Sequence, residues 1–547
     1  MARKSTAAAS TAKKGTRAGP AAKRSAGAAP AAGGKRLLPP PGGATVRMYR
    51  TGHGDCFLLA FAGESEDRPS YVLIDCGYKP GSSAPKYIGT TPKEICASIR
   101  EATGGRVDVA VVTHEHQDHV NGITATNFRG ITVGETWLAW TEDPEDPVAG
   151  RLREEFDDKL LGLFAARNRL AADGDAGRAE WIDRFLAFEF GGDDEVFDAE
   201  AARTALLGAA GARGVSRNKA SMKLLKDRAR DGVRYVRPHE EILALPGAKD
   251  VRVFALGPPR DPDRLTDLNP QGDERFHGLG IATASAGNYF AAAAGAPESH
   301  GQSPFARRYA LDRDAALADP AFGGFFTERY GADGTPEGFA ADGAPRGDDE
   351  VPDNPAWRRI DREWLYSAER LALDLNDYTN NASLVLAFEL GRGGKVLLFA
   401  ADAQRGNWVS WAKKDWEDGD RKVTARDLLA RTVLYKVGHH GSHNATLNGT
   451  AEDEHPSLGW MARGEHGREF TAMITAVRAW AETQNGWDHP LAAIKDALHR
   501  KASGRVFQTD TGLDAMAKPE GTSEAEWRRF RARARDDRLY FDYDVLR

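Results

Sequence analysis

The sequence is short of cysteine and of long apolar runs, and each shortage removes a class of protein. Only Cys56, Cys76 and Cys96 are present, so no fully paired disulfide framework is available, and no CxxC spacing exists for a thiolate zinc site. Any metal ion is therefore left to histidine and carboxylate. No stretch reaches the roughly 18 apolar residues of a membrane span. The basic first 36 residues hold no apolar run that would serve as a signal-peptide core. The expectation is a cytoplasmic protein without membrane contact.

What is present is ordinary in amount and uneven in placement. Across 547 residues, 80 acidic and 74 basic side chains leave a formal charge of −6, with 41% apolar and 28% charged residues. At about 150 residues per domain the length allows three or four domains, or fewer if one α/β fold carries a long insertion. Residues 1–36 hold nine Lys and Arg and no acid, which leaves the rest at −15 from 65 basic and 80 acidic groups. Between those charges lie Ala, Gly, Ser, Thr and Pro, with too little apolar surface to offset the ordering entropy of the backbone. Residues 1–44 therefore read as a disordered basic tail. It either touches nucleic acid electrostatically or is a solubilising leader with no partner.

Beyond Pro39-Pro40-Pro41 the pattern predicts strands at Thr45–Arg50, Cys56–Ala62 and Tyr71–Ile74. Thr91-Pro92-Lys93-Glu94 predicts a helix that ends at Gly104-Gly105. Val107–Val112 is a continuous apolar run, as in a strand buried on both faces, and it delivers the chain to His114. From 141 to about 230 the chain is charged and helix-periodic, with Leu152, Phe156, Leu160, Leu161 and Phe164 on one stripe. Stretches such as Gly331–Pro336 and Ala341–Pro355 predict long loops. Strands return at Ser383–Leu390, Val396–Ala400, Thr432–Val437, Ala472–Ala476 and Arg505–Thr509.

Half of the fourteen histidines fall in three short places. The first is Thr113-His114-Glu115-His116-Gln117-Asp118-His119, directly after the buried strand. Neutral imidazoles and a carboxylate suit Zn²⁺ and related ions, and this loop can contact two adjacent ions without crowding one. The second is Lys436-Val437-Gly438-His439-His440-Gly441-Ser442-His443, and the third is His489.

The first cluster resembles the signature of metallo-β-lactamase fold hydrolases. Asp75 in Leu-Ile-Asp-Cys-Gly is similar to the family's first motif, Asp402 in Ala-Ala-Asp to its metal-bridging aspartate, and His439-His440 to its late histidine motif. Ala401 stands where that family usually has glycine. Within the superfamily the sequence is most similar to the hydrolase domain of DNA-competence proteins and to phosphorylcholine esterases. Gly52-His53-Gly54-Asp55, Asn381-Ala382-Ser383-Leu384-Val385-Leu386, Asn485 with His489-Pro490, and Thr509-Asp510-Thr511-Gly512 carry that likeness. The resemblance spans about residues 45–135 and 380–515.

It implies an αββα sandwich whose halves are residues 45–140 and 371–547, separated by an insertion over 141–370, helical then loop-rich. It also implies two divalent ions, Zn²⁺ or Mn²⁺. The strand Val251–Leu256 runs into Gly257-Pro258 without the family's third-motif histidine. The ligand set implied is then His114, His116, Asp402 and His440 for one ion, and Asp118, His119, Asp402 and His489 for the other. His439 is the alternative to His440, and for His489 the alternative is a polar residue at a helix start; as a ligand it would be fixed at that helix start by an Asp488 cap and point toward Asp118 and His119. Asp118, Asp402 and His443 are the candidate catalytic residues; His443 and Ser442 either meet a substrate oxyanion or donate a proton, or are only a polar loop. Asp55 reads as turn chemistry. His239, His277, His300, His455, His466 and His499, isolated among charged neighbours, are expected in solvent.

The function implied is a binuclear hydrolase, foremost a phosphodiesterase or nuclease using a metal-bridging hydroxide. The alternatives are hydrolysis of a small ester, lactone or thioester, and a non-catalytic binding module on the same fold. A flavodiiron-type oxidoreductase is disfavoured because those relatives place Glu where His116 stands. The −15 body opposes a polyanionic substrate, whereas the basic tail would steer one.

Overall fold

Short runs of β-branched, aromatic and leucine side chains bounded by turn residues become strands in the computed structural model. The structure describes residues 36–65, 68–172, 176–192, 198–206, 216–276, 313–325, 368–484 and 487–547. The tail before Arg36, the stretches Gly331–Pro336 and Ala341–Pro355, His277, His300 and Asn485-Gly486 lie outside the described residues.

One sheet has eight strands: β1 (Ala44–Tyr49), β2 (Phe57–Ser65), β3 (Arg68–Ile74), β4 (Arg106–Val112), β5 (Thr132–Ala139), β6 (Ala229–Val236), β16 (Ala534–Asp536) and β17 (Tyr540–Val545), in the spatial order β16-β17-β1-β2-β3-β4-β5-β6. The other has seven: β7 (Leu243–Leu245), β8 (Ala248–Gly257), β9 (Val385–Leu390), β10 (Lys395–Phe399), β13 (Thr432–Lys436), β14 (Thr471–Ile474) and β15 (Val506–Gln508), in the order β15-β14-β13-β10-β9-β8-β7. A separate ribbon pairs β11 (Asp415–Asp418) with β12 (Arg421–Thr424). Both large sheets are mixed. β3 to β6 run parallel, as do β10, β13, β14 and β15, and the other neighbours are antiparallel.

The fold is thus mixed α/β. Because side chains alternate along a strand, one face of each sheet feeds a common core: Val46, Met48, Phe57, Leu59 and Phe61 from the first sheet meet Val253, Leu386, Phe388, Leu397 and Phe399 from the second. The opposite face of the first sheet packs on Ile95 and Ile99 of α1 (Pro92–Thr103) and on Met222 and Leu225 of the helix Arg217–Arg228. That of the second packs on Trp408, Trp411, Leu428, Ile494 and Leu498. α1 ends as expected, with Gly104 at φ 64 beyond a Thr91 capping box.

Two parts of the fold differ from the expectation. Residues 229–257, within the stretch read as insertion, supply β6, β7 and β8 to the sheets. The C-terminal segment adds β16 and β17, and the buried Arg47 guanidinium donates to Asp542 at 2.7 and 2.9 Å across the β1–β17 pair. The helices Pro147–Ala172, Ala176–Phe190 and Ala368–Asn381 have a core of their own, built from Phe156, Leu160, Phe164, Ile182, Leu186, Leu371 and Leu375. No helix among the described residues is long and apolar enough to cross a membrane.

Phe388 stacks on Phe61 at 5.4 Å and meets Phe399 edge-on at 5.9 Å, joining the two sheets. Phe388→Ala is expected to cost about 3–5 kcal/mol in denaturant unfolding. A loss below about 1 kcal/mol would show that the sheets do not share this core.

Candidate metal centre

The parallel strands of both sheets end near one another, and the histidines and carboxylates singled out above follow those ends, as ligand sites of open α/β sheets do. β3 leads into Asp75, β4 into Thr113 and His114, β10 into Asp402, β13 into His439 and His440, and β14 into Thr475. The helical turn Gln117–Val120 carries Asp118 and His119. Asp75 (φ 55), Ala401 (φ 47), His439 (φ 41) and His440 (φ 53) adopt left-handed backbone without being glycine, a strain of roughly 1–3 kcal/mol each that concentrates at functional sites. The positive φ of Ala401 also accounts for the glycine usual there in the family that the sequence resembles. Gly54 and Gly77 lie so close to the Asp118 backbone that a Cβ at either would collide with it. That approach lets the Asp55 N–H donate to the Asp118 carbonyl at 3.0 Å and the Cys76 N–H to the His119 carbonyl at 2.8 Å.

Ligand-type atoms of Asp118, His119, Asp402 and His440 lie within 4.8 Å of one another, all buried. His119 Nε2 is 3.1 Å from Asp402 Oδ2, and His440 Nε2 is 3.2 Å from Asp118 Oδ2 and 3.5 Å from Asp402 Oδ2. Yet His119 Nε2 and Asp118 Oδ1 are buried without any hydrogen bond. Buried polar atoms left in that state are costly. Two imidazoles and two carboxylates converging in this way form a donor set suited to a divalent ion. The residues present therefore fit a metal ion.

In His114, His116, His119 and His440 the second ring nitrogen is held by another group, whereas His439 Nδ1 is buried without a hydrogen bond. His119 Nδ1 donates to Asp75 Oδ2 at 2.8 Å. Thr475 Oγ1 donates to Asp55 Oδ1 at 2.6 Å and so accepts from His440 Nδ1 at 2.9 Å. Thr113 Oγ1 donates to Asp75 at 2.7 Å and lies 3.1 Å from His114 Nδ1. His114 Nε2 and His116 Nδ1 face each other at 3.1 Å, while His116 Nε2 lies 3.1 Å from Glu189 Oε1. His114 Nε2 and His439 Nε2 are each 4.0 Å from Asp402 Oδ2.

Two lysines balance the carboxylates. Lys436 Nζ is 2.5 Å from Asp55 and 3.4 Å from Asp402, and Lys79 Nζ is 3.6 Å from Asp118 and 2.9 Å from the centre of the Phe188 ring. Burial opposes charge on His119, but Asp402, Asp55 and Asp75 outweigh it and hold this imidazole well above its usual range. His440 is raised likewise, against burial, by Asp402 and its bond to Asp118. Burial pushes His53, His114 and His489 well below that range, and His439 down to about 3. Burial would raise Asp118 and Asp402, yet their cationic neighbours keep both well below the usual carboxylate range.

The grouping differs from the one implied by resemblance. His440 stands with Asp118 and His119, not with His114 and His116, because the left-handed turn at His439-His440 after β13 aims its Nε2 at Asp118. Among the described residues ligand-type atoms converge in that group and in a second one of Asp55, Asp75 and His119, and His489 belongs to neither; its Nδ1 is 3.4 Å from His53 Nε2, and its ring lies 4.9 Å from Trp487 and 5.4 Å from His439. Asp488 does not cap the following helix, whose first-turn boundary is Leu491 without a side-chain cap. His443 is exposed, with Nε2 3.3 Å from Asn269 Oδ1. Asp55 is more than turn chemistry: it is 2% exposed and holds both Lys436 and Thr475. Glu189 and Lys79 carried no sequence signal beyond being charges in charged or turn-rich surroundings.

With raised values, His119 and His440 contribute stability to the metal-free chain that is complete below about pH 6.5 and is lost as pH rises through their folded values. Ligation requires both to be neutral. Zn²⁺ affinity is therefore expected to rise with pH through the raised folded values of these two imidazoles, with proton release, read by calorimetry in buffers of different ionisation enthalpy. A pH-independent affinity without proton release would exclude these imidazoles as ligands. Neither a protein-family model nor a curated protein sequence matches this chain, so the reading of the centre rests on its own geometry and chemistry.

Proposed function

We propose that the chain is a metal-dependent hydrolase of the metallo-β-lactamase fold that acts on a phosphodiester. The observation that carries this reading is the buried convergence of Asp118, His119, Asp402 and His440, with Asp118 Oδ1 and His119 Nε2 left without hydrogen bonds. Two sheets sharing one core, with helices packed on their other faces, support the αββα arrangement.

In this reading Asp118, His119, Asp402 and His440 hold one ion, and His114 and His116 with Asp402 hold the second, with His439 beside them. Such a pair of ions, Zn²⁺ or Mn²⁺, supplies a Lewis acid and an activated water near neutral pH. The protein's own part is to fix the imidazoles through Asp75, Thr113 and Thr475, and to set Lys79 where a substrate anion meets a cation. His439, its side chain 15% exposed against 1% for His440, lies on the more open side of the centre.

A second reading, a small ester or diester in place of a nucleic acid, is favoured by the cavity of about 680 Å³ whose wall includes His114. Of its four cations, Lys219 and Lys226 face Asp157 and Glu142 at 3.8 and 3.9 Å, Lys223 pairs with Asp227, and Arg153 donates to the carbonyls of Thr141 and Asp143. A wall balanced in this way does not attract a polyanion as a basic groove does. Nucleic-acid contact then falls to the basic tail.

Asp118→Ala and His119→Ala are each expected to lower hydrolysis of bis-p-nitrophenyl phosphate by several orders of magnitude with Mn²⁺ or Zn²⁺, leaving circular dichroism unchanged. Most of the activity surviving in either variant at saturating metal would refute the proposal. Deletion of residues 1–36 is expected to leave that activity unchanged while reducing the salt dependence of any DNA binding, by a slope of roughly 0.9 for each phosphate the tail no longer neutralises. An unaltered salt slope would remove the tail from nucleic-acid contact.

A further inference from the structure

The helix Ala176–Phe190 belongs to the helical insertion, whose own core lies apart from the core shared by the two sheets. Its last turn nevertheless reaches the centre. Glu189, its side chain 2% exposed, places Oε1 3.1 Å from His116 Nε2. Next to it, the Phe188 ring packs 4.7 Å from the His116 ring and 2.9 Å from Lys79 Nζ.

The end of this helix is fixed by bonds on both sides. Asn218, fully buried, donates from Nδ2 to the carbonyls of Phe188 and Glu189 at 3.0 Å each. Gln117, which directly follows His116, donates from Nε2 to the Gly192 carbonyl at 2.8 Å. Gly191 turns the chain with φ 72 at a place where a Cβ would run into Asn218. A carboxylate brought to a buried imidazole by such a scaffold is not a solvated surface acid.

We infer that Glu189 is a positioning residue for the metal centre: by accepting a hydrogen bond from His116 Nε2–H it turns the lone pair of Nδ1 toward His114 Nε2, 3.1 Å away, so the insertion completes a site that the sheets alone leave unfinished. The inference rests on the metal-centre reading above. The surroundings of the other three histidines point the same way. His114, His119 and His440 are held by Thr113, Asp75 and the Thr475–Asp55 pair, all at or beside the two sheets. His116 has its holding group in the insertion. A carboxylate on the far nitrogen fixes the tautomer and raises the basicity of a ligating imidazole, and its loss weakens metal affinity by about 10–100-fold.

The test measures Zn²⁺ binding to the full chain by competition with a chromophoric chelator, in Glu189→Ala, Glu189→Gln, His116→Ala and the two double variants. Glu189→Ala is expected to weaken one of two bound ions by about 10–100-fold. Glu189→Gln, a neutral acceptor of the same shape, is expected to lose less. In the His116→Ala background neither change should weaken binding further. Wild-type affinity in Glu189→Ala and Glu189→Gln overturns the inference, as does a loss that persists in full without His116, since a purely structural role would persist there. If Glu189→Ala does not fold, Glu189→Gln with and without His116 decides by the same criterion. A wild-type chain that binds no ion overturns the metal-centre reading instead, which separates the two failures.

Discussion

Buried charge is the constraint on which the rest of this structure depends. Asp55, Asp75, Asp118 and Asp402 are each no more than 2% exposed. Isolated carboxylates in that position would lose their charge or unfold the chain. Each therefore requires a cation or a donor from another element: Lys436 from β13, Lys79 from the loop after β3, Thr475 after β14, and His119 and His440. Those pairings tie the ends of both sheets together before any ligand is considered. The strained backbone at Asp75, Ala401, His439 and His440 is held in place by this network and by the inter-sheet core beneath it.

The same constraint explains the division of labour among the histidines. Where carboxylates crowd an imidazole, as at His119 and His440, the proton is retained; where burial dominates, as at His53, His114, His439 and His489, it is given up. The rim of the sheets thus sets imidazoles whose charged form is favoured beside imidazoles whose neutral form is favoured.

What could be read from the sequence is what is local in it. The His114–His119 cluster lies within six residues after an apolar run, and the strands before Asp75, His114, Asp402 and His439 announce themselves by composition. Asp55 was hidden because its bond to Thr475 spans 420 positions, and a Gly-Asp turn is common without function. Glu189 was hidden in a charged helical stretch, 73 positions from His116. Whether His440 or His489 joins Asp118 depends on two consecutive positive φ values, which adjacent histidines do not advertise. β16 and β17 were missed because their alternation of Arg and Asp with aromatics is short and lies beyond the resembled region.

The pairing of β1 with β17 has a consequence for the order of events on the ribosome. Arg47 and Asp542 are 495 positions apart, and at about 5–20 residues per second their synthesis is separated by roughly 25–100 s. Throughout that interval β1 pairs with β2 on one side only, and the edge that faces β17 is open, with the apolar face of Val46 and Met48 beside it. Such an edge recruits whatever strand it meets first, including one from a neighbouring nascent chain. Productive folding of this protein therefore depends on that edge being sheltered until Tyr540–Val545 arrive to close it.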